Sequence, residues 1–149
     1  MSDLAKKLRY YTMMEEIGRG GTGIVYRAKH QKTGHQVAIK ILHDNLTEDA
    51  QQIERFHREA RIHQNIRHPN ILQFIGLYDS EQTLAIVMEY LQGCSLKQYL
   101  QHHGALSTGE LFTVMDAVIQ SLEVAHNQGI THRDIKPSNI FLCNDGTIK

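Results

Sequence analysis

Strand-forming and helix-forming segments are segregated along this chain, and that constrains the fold more than any other feature. Residues 1–9 are polar and basic and read as a leader. From Tyr10 the pattern turns β-like: "YYTMMEEIG" runs into glycines, "GIVYRAKH" is β-branched and aromatic, "KTGHQ" supplies a turn, and "VAIKIL" reads as a buried strand. One helical segment of about 17 residues follows. Thr47 is its expected N-cap, Glu48 and Asp49 suit its first turn, and Ile53, Phe56, Ala60 and Ile62 recur at helical spacing. "RHPN" ends it, and "ILQFIGLYDS" and "TLAIVMEY" read as two more strands.

Beyond "LQG" at 91–93 helices take over. "CSLKQYLQHHG" is a short helix. Ser107 and Glu110 form a capping box that opens a long helix over 107–128, with Leu111, Val114, Met115, Val118, Leu122 and Ala125 on one face and Gly129 at the C′ position. "SNIFLCNDGTIK" reads as two strands around an Asp145-Gly146 turn. Strands first and helices after predict an α+β fold: leader 1–9, a five-stranded lobe with one helix over 10–91, and a helical part over 92–149. Basic and acidic residues balance at 16 each, which gives no basis for nucleic acid as a partner. Cys94 and Cys143 have no metal-ligand spacing and suit a reduced, cytoplasmic protein. The adjacent His102 and His103 suit a helix end better than a metal. The apolar runs are of strand length, far short of the ~20 residues that span a bilayer.

The stretch Gly18-x-Gly20-x-x-Gly23 is shared by two phosphate-binding devices. One opens a helix and binds a dinucleotide, with an acidic residue about 20 positions on; Asp44 stands 21 residues after Gly23. The other is a hairpin tip over a nucleoside triphosphate. Adjacent Ile24, Val25 and Tyr26 suit a strand better than a helix. The motif alone leaves a ligand-free turn open as well.

The stretch "THRDIKPSNIFL", Thr131 to Leu142, decides between them. Its "HRDIKPSN" resembles the catalytic loop of the protein kinases, serine/threonine type, and with "REA" it is similar to the eukaryotic-like kinases of bacteria. Other elements of that family stand in order: the glycine loop, "VAIK" ending in Lys40, Glu59 in mid-helix, "HPNI" at 68–71 and "VMEY" at 87–90. The resemblance covers Tyr10 to Lys149. It implies a kinase-like five-stranded antiparallel lobe with one helix, then the first helices and catalytic loop of the helical lobe. The cofactors it implies are ATP and Mg2+, and the partner is a protein substrate with a Ser or Thr hydroxyl.

Phosphoryl transfer needs a triphosphate held still, its charge neutralised and a hydroxyl aimed in line. Gly18, Gly20, Gly21 and Gly23 allow close backbone approach to phosphates. Lys40 interrupts an apolar strand, where an unpaired cation costs several kcal/mol. The resemblance gives it the α/β-phosphates as ligand and Glu59 as ion-pair partner. It makes Asp134 the group that accepts or orients the substrate hydroxyl, Lys136 the γ-phosphate contact, and Asn139 a Mg2+ ligand through its amide oxygen. It also implies an adenine slot: Ile17 and Val25 on the base, Ala38 as roof, Phe141 as floor, Met88 as gatekeeper, and Glu89 to Leu91 as hinge. His132 is expected to pack beneath the loop.

The sequence departs from the family in two places. His63, four residues after Glu59, stands where the family carries an apolar residue. The family's Asp-Phe-Gly, which holds the first Mg2+, falls a few residues past Lys149. The 149-residue polypeptide is therefore expected to turn over ATP inefficiently and to expose apolar surface on the helix over 107–128. The alternative function is a non-catalytic ATP-binding scaffold of the same fold. A dinucleotide-dependent oxidoreductase leaves "HRDIKPSN" unexplained.

Overall fold

The structure is a computed structural model and describes residues 8–43, 49–80 and 83–149. Thr47, Glu48 and Asp44, and the side chains of Glu59, Ile62 and His63, lie outside the described residues. The strands are β1 (Tyr11–Arg19), β2 (Gly23–His30), β3 (Gln36–Leu42), β4 (Phe74–Ser80), β5 (Thr83–Glu89), β6 (Gly93–Ser95) and β7 (Phe141–Cys143). The helices are α1 (Ala50–Gln64), α2 (Leu96–His103) and α3 (Thr108–Asn127). The chain divides into two compact units, one holding residues up to Asn65 with Gln73–Tyr90, the other Ile66–Leu72 with Leu91–Lys149.

The first unit is the expected five-stranded antiparallel sheet, and its strand order is β1-β2-β3-β5-β4. Strand alternation gives it two apolar faces. Ala28, Val37, Ile39, Ala85 and Val87 are buried on one face, with Tyr11, Ile41 and Tyr78 packed against them. Leu8 completes this cluster and is only 3% exposed, so the end of the leader belongs to the core. Burial, then a hydrogen bond with Tyr78, pushes the Tyr11 phenol up to about 12. The opposite face buries Leu42, Leu84 and Ile86 with Phe56 and Ala60 of α1. The first turn of α1 is held by Asp49, whose carboxylate accepts from the Gln51 N–H at 2.9 Å and whose carbonyl accepts from the Ile53 N–H at 3.0 Å.

In the second unit, Ser95 and Ser107 each make a reciprocal capping box, with Gln98 and Glu110. The Ser95 box starts α2 at Leu96, so residues 93–95 are free to form β6, which pairs antiparallel with β7. The sequence reading has Cys94 and Ser95 inside the helix. The Asp145-Gly146 turn forms: Asp145 accepts from the Thr147 N–H at 2.8 Å, and Phe141 and Lys149 exchange backbone hydrogen bonds. The rings of His102 and His103 donate to the carbonyls of Gln98 and Tyr99, as helix-end residues.

The apolar face of α3 differs from the predicted one. Val114, Ala117 and Ala125 are buried, Val114 and Ala117 against Leu96 and Ile148. Leu111 and Met115 are 49% and 44% exposed, alongside Phe112 and Ile119. Apolar residues ring more than half of this helix, and small Ala117 permits closer packing than Met115 would. The loop at 66–72 is fastened within this unit, the Asn70 amide donating to the Ile148 carbonyl at 2.8 Å and the Ser121 hydroxyl to the Asn70 carbonyl at 2.9 Å.

Candidate active site

The glycine stretch is a hairpin, not a helix start. Gly18 pairs with Val25 and Arg19 with Ile24, and the Gly20 N–H donates to the Gly23 carbonyl at 3.0 Å. Gly23 is demanded by the fold, since a Cβ there would stand 2.2 Å from the Ile41 carbonyl oxygen. Gly20 and Gly21 are not: a Cβ on either would meet nothing within 4 Å. Packing leaves those two positions unexplained, while close approach of a ligand to bare backbone explains them.

Register places Val25, Lys40 and Ile86 side by side on one face, with Arg27, Ala38 and Met88 one step along. Ala38 is buried, Met88 half-buried, and Ile17 exposed on β1. The Lys40 ammonium lies 5.5 Å from the centroid of the Phe56 ring on α1. Position 59 is one turn further along that helix, and its side chain is outside the described residues. The Glu89 carboxylate accepts from the Gln73 N–H at 2.7 Å, and the Glu89 N–H donates to the Gln73 carbonyl at 3.0 Å. This side chain therefore staples the end of β5, a role the sequence reading missed.

In the second unit Leu91 and Phe141 are half-buried, and Asp134, Lys136 and Asn139 come together on an exposed loop. The Lys136 ammonium is 2.8 Å from Asp134 Oδ2. The Asn139 amide nitrogen donates to the Asp134 carbonyl at 2.9 Å and to its Oδ2 at 3.1 Å. That nitrogen is committed, so the amide oxygen is the atom Asn139 offers a hard cation. Pro137 opens a single 3-10 turn, Pro137–Asn139, that carries Asn139 back to Asp134. His132 does not pack beneath the loop. It is exposed, and its Nδ1 accepts from the Asp134 N–H at 3.2 Å. Arg133 has φ +64°, the only non-glycine positive φ among the described residues. Such backbone costs on the order of 1 kcal/mol or more and clusters at functional sites. The hydrogen bonds to His132 and Asn139 hold it.

The Lys136 hydrogen bond is the main influence holding the Asp134 carboxyl below the usual carboxylate range, and Lys136 charge, Asn139 and His132 add to it. The group stays ionised, as an acceptor of a hydroxyl proton must. Lys136→Ala is expected to raise the Asp134 pKa and to move the acid limb of any Asp134-dependent reaction to higher pH. A carboxyl-carbon NMR titration checks this; an unmoved titration would contradict the assignment.

Among the described residues no group of three or more His, Cys, Asp or Glu side chains could hold a metal ion. The Asn139 amide oxygen is nevertheless a hard donor of the kind that suits Mg2+, which commonly takes one or two protein ligands and completes its shell with phosphate oxygens and water.

Comparison with known proteins bears on the family of the chain. The protein kinase domain matches residues 11–149. The probable serine/threonine-protein kinase PknB of Lactococcus lactis is 37% identical over 140 residues, 93% of this chain and 22% of that protein. The serine/threonine-protein kinase PrkC of Bacillus subtilis is 38% identical over 139 residues, again 93% and 22%. The serine/threonine-protein kinase Pkn1 of Myxococcus xanthus is 37% identical over 132 residues, 89% of this chain and 19% of that protein. The chain spans about a fifth of the length of these curated relatives. On this match, and on the sheet, glycine hairpin and catalytic loop that accompany it, the chain belongs to the protein kinase family.

Proposed function

We propose that this chain carries the nucleotide-binding lobe (10–91) and the catalytic loop (within 92–149) of a protein serine/threonine kinase. The observation that carries the reading is the Asp134–Lys136–Asn139 cluster in a strained, cross-braced loop. ATP supplies the γ-phosphoryl group, and Mg2+ neutralises its charge. Gly18, Gly20, Gly21 and Gly23 let the backbone of the hairpin approach the phosphates closely, and Lys40, paired with Glu59, fixes the α/β-phosphates. The kinase resemblance assigns Ile17, Val25, Ala38, Met88 and Glu89 of the first unit, and Leu91 and Phe141 of the second, to the adenine. Asp134 accepts the proton of a Ser or Thr hydroxyl as that oxygen bonds the γ-phosphorus and ADP leaves. Lys136 holds the transferring group, and the Asn139 amide oxygen holds Mg2+.

No helix among the described residues is long and apolar enough to cross a membrane. The family match supports a protein substrate, the balance of 16 basic and 16 acidic residues offers no basis for nucleic acid, and we take the site of action to be the cytoplasm.

The test is a single-turnover assay with protein in excess over γ-labelled ATP, offering acceptor peptides that carry Ser, Thr or Tyr. Label on Ser and Thr that vanishes in Asp134→Asn is expected. Label on Tyr, or label that survives the substitution, would contradict the reading. ATP binding without any transfer would favour the scaffold.

A further inference from the structure

We propose that His43 is a positioning residue for the glycine turn; the inference rests on the nucleotide reading above. His43 directly follows β3 and touches the turn twice. Its N–H donates to the Thr22 carbonyl at 3.3 Å, and its ring Nε2 lies 2.9 Å from the Gly20 carbonyl oxygen. A carbonyl can only accept, so Nε2 carries the hydrogen. The residue is half-buried, while the bond itself is open to water.

This bond sets more than a distance. The Gly20 carbonyl and the Gly21 N–H belong to one planar trans peptide, so they point in opposite directions. Holding the carbonyl toward His43 turns the Gly21 N–H away from His43. Glycine at 20 and 21 leaves this peptide without side-chain anchors of its own, and it would otherwise rotate among many orientations. His43 thus selects the orientation in which the turn presents an N–H to a phosphate. Nothing in the glycine motif announces this residue, which lies 23 positions downstream of Gly20.

Glutamine places its amide nitrogen three bonds from Cβ, as histidine places Nε2, so it can restore the donor. The 149-residue chain is titrated with Mg-ATP and with adenosine, as wild type, His43→Ala and His43→Gln. His43→Ala is expected to weaken Mg-ATP roughly three- to tenfold, the worth of one hydrogen bond, and to leave adenosine within about twofold; His43→Gln restores Mg-ATP. Amide exchange over residues 18–23 of the free protein rises in His43→Ala and returns in His43→Gln. Unchanged Mg-ATP affinity in His43→Ala, equal losses for both ligands, or no rescue by glutamine would overturn the proposal while the nucleotide reading stands. A wild type that binds neither ligand removes the nucleotide reading, and this role with it.

Discussion

Replacing Lys40 by methionine is expected to weaken Mg-ATP binding roughly ten- to a hundredfold while adenosine binding stays unchanged. Lys40 sits between Val25 and Ile86 on the face that also carries Ala38 and Met88. Hydrogen bonds to charged groups contribute about 1.5–3 kcal/mol, and that range sets the expected loss. Methionine keeps the length and apolar stem that pack near Phe56, so the sheet should survive. A calorimetric titration with the two ligands separates the outcomes. Equal losses for ATP and adenosine would point to a damaged lobe, and no loss would remove Lys40 from the site.

Ile39→Ala is expected to destabilise the first unit by about 2–5 kcal/mol, a large share of the roughly 5–15 kcal/mol that holds most domains. Ile39 is 0% exposed and pairs with Tyr26 on one side and Val87 on the other. It sits in a buried cluster with Leu8, Ala28, Val37, Ala85 and Val87, where truncation leaves a cavity. Ile75→Ala, at a position 49% exposed on β4, is the control, expected to cost well under 1 kcal/mol. Urea unfolding measures both. A cost below about 1 kcal/mol for Ile39→Ala would contradict the described core.

The five strands of the sheet were legible because β-branched runs bounded by turn residues are a local signal, and Ile24-Val25-Tyr26 outweighed the misleading spacing of Asp44. What was not legible depends on partners distant in sequence. Leu8 is a lone apolar residue in a basic run, without periodicity to mark it as core. Strand β6 is three residues long and exists because β7 lies beside it; the Ser95-x-x-Gln98 capping box was the available clue to where α2 begins. On α3 the sequence offers several apolar stripes; Val114 and Ala125 were legible, and only packing against Leu96 and Ile148 adds Ala117 and leaves Leu111 and Met115 exposed. In the site, residue types and spacing were readable. The second roles of side chains were not: the Glu89 carboxylate bonds backbone at Gln73, and exposed His132 braces the Asp134 amide. His43 carries no motif at all and becomes visible only when β3 is seen to end beside the glycine turn.

The central claim is that the glycine hairpin serves a nucleoside triphosphate and not a dinucleotide. Calorimetric titration of the chain with Mg-ATP and, separately, with NAD tests it most directly. The account predicts saturable Mg-ATP binding that weakens in Lys40→Met, and no heat of binding with NAD. Saturable NAD binding, or Mg-ATP binding indifferent to Lys40, would contradict it.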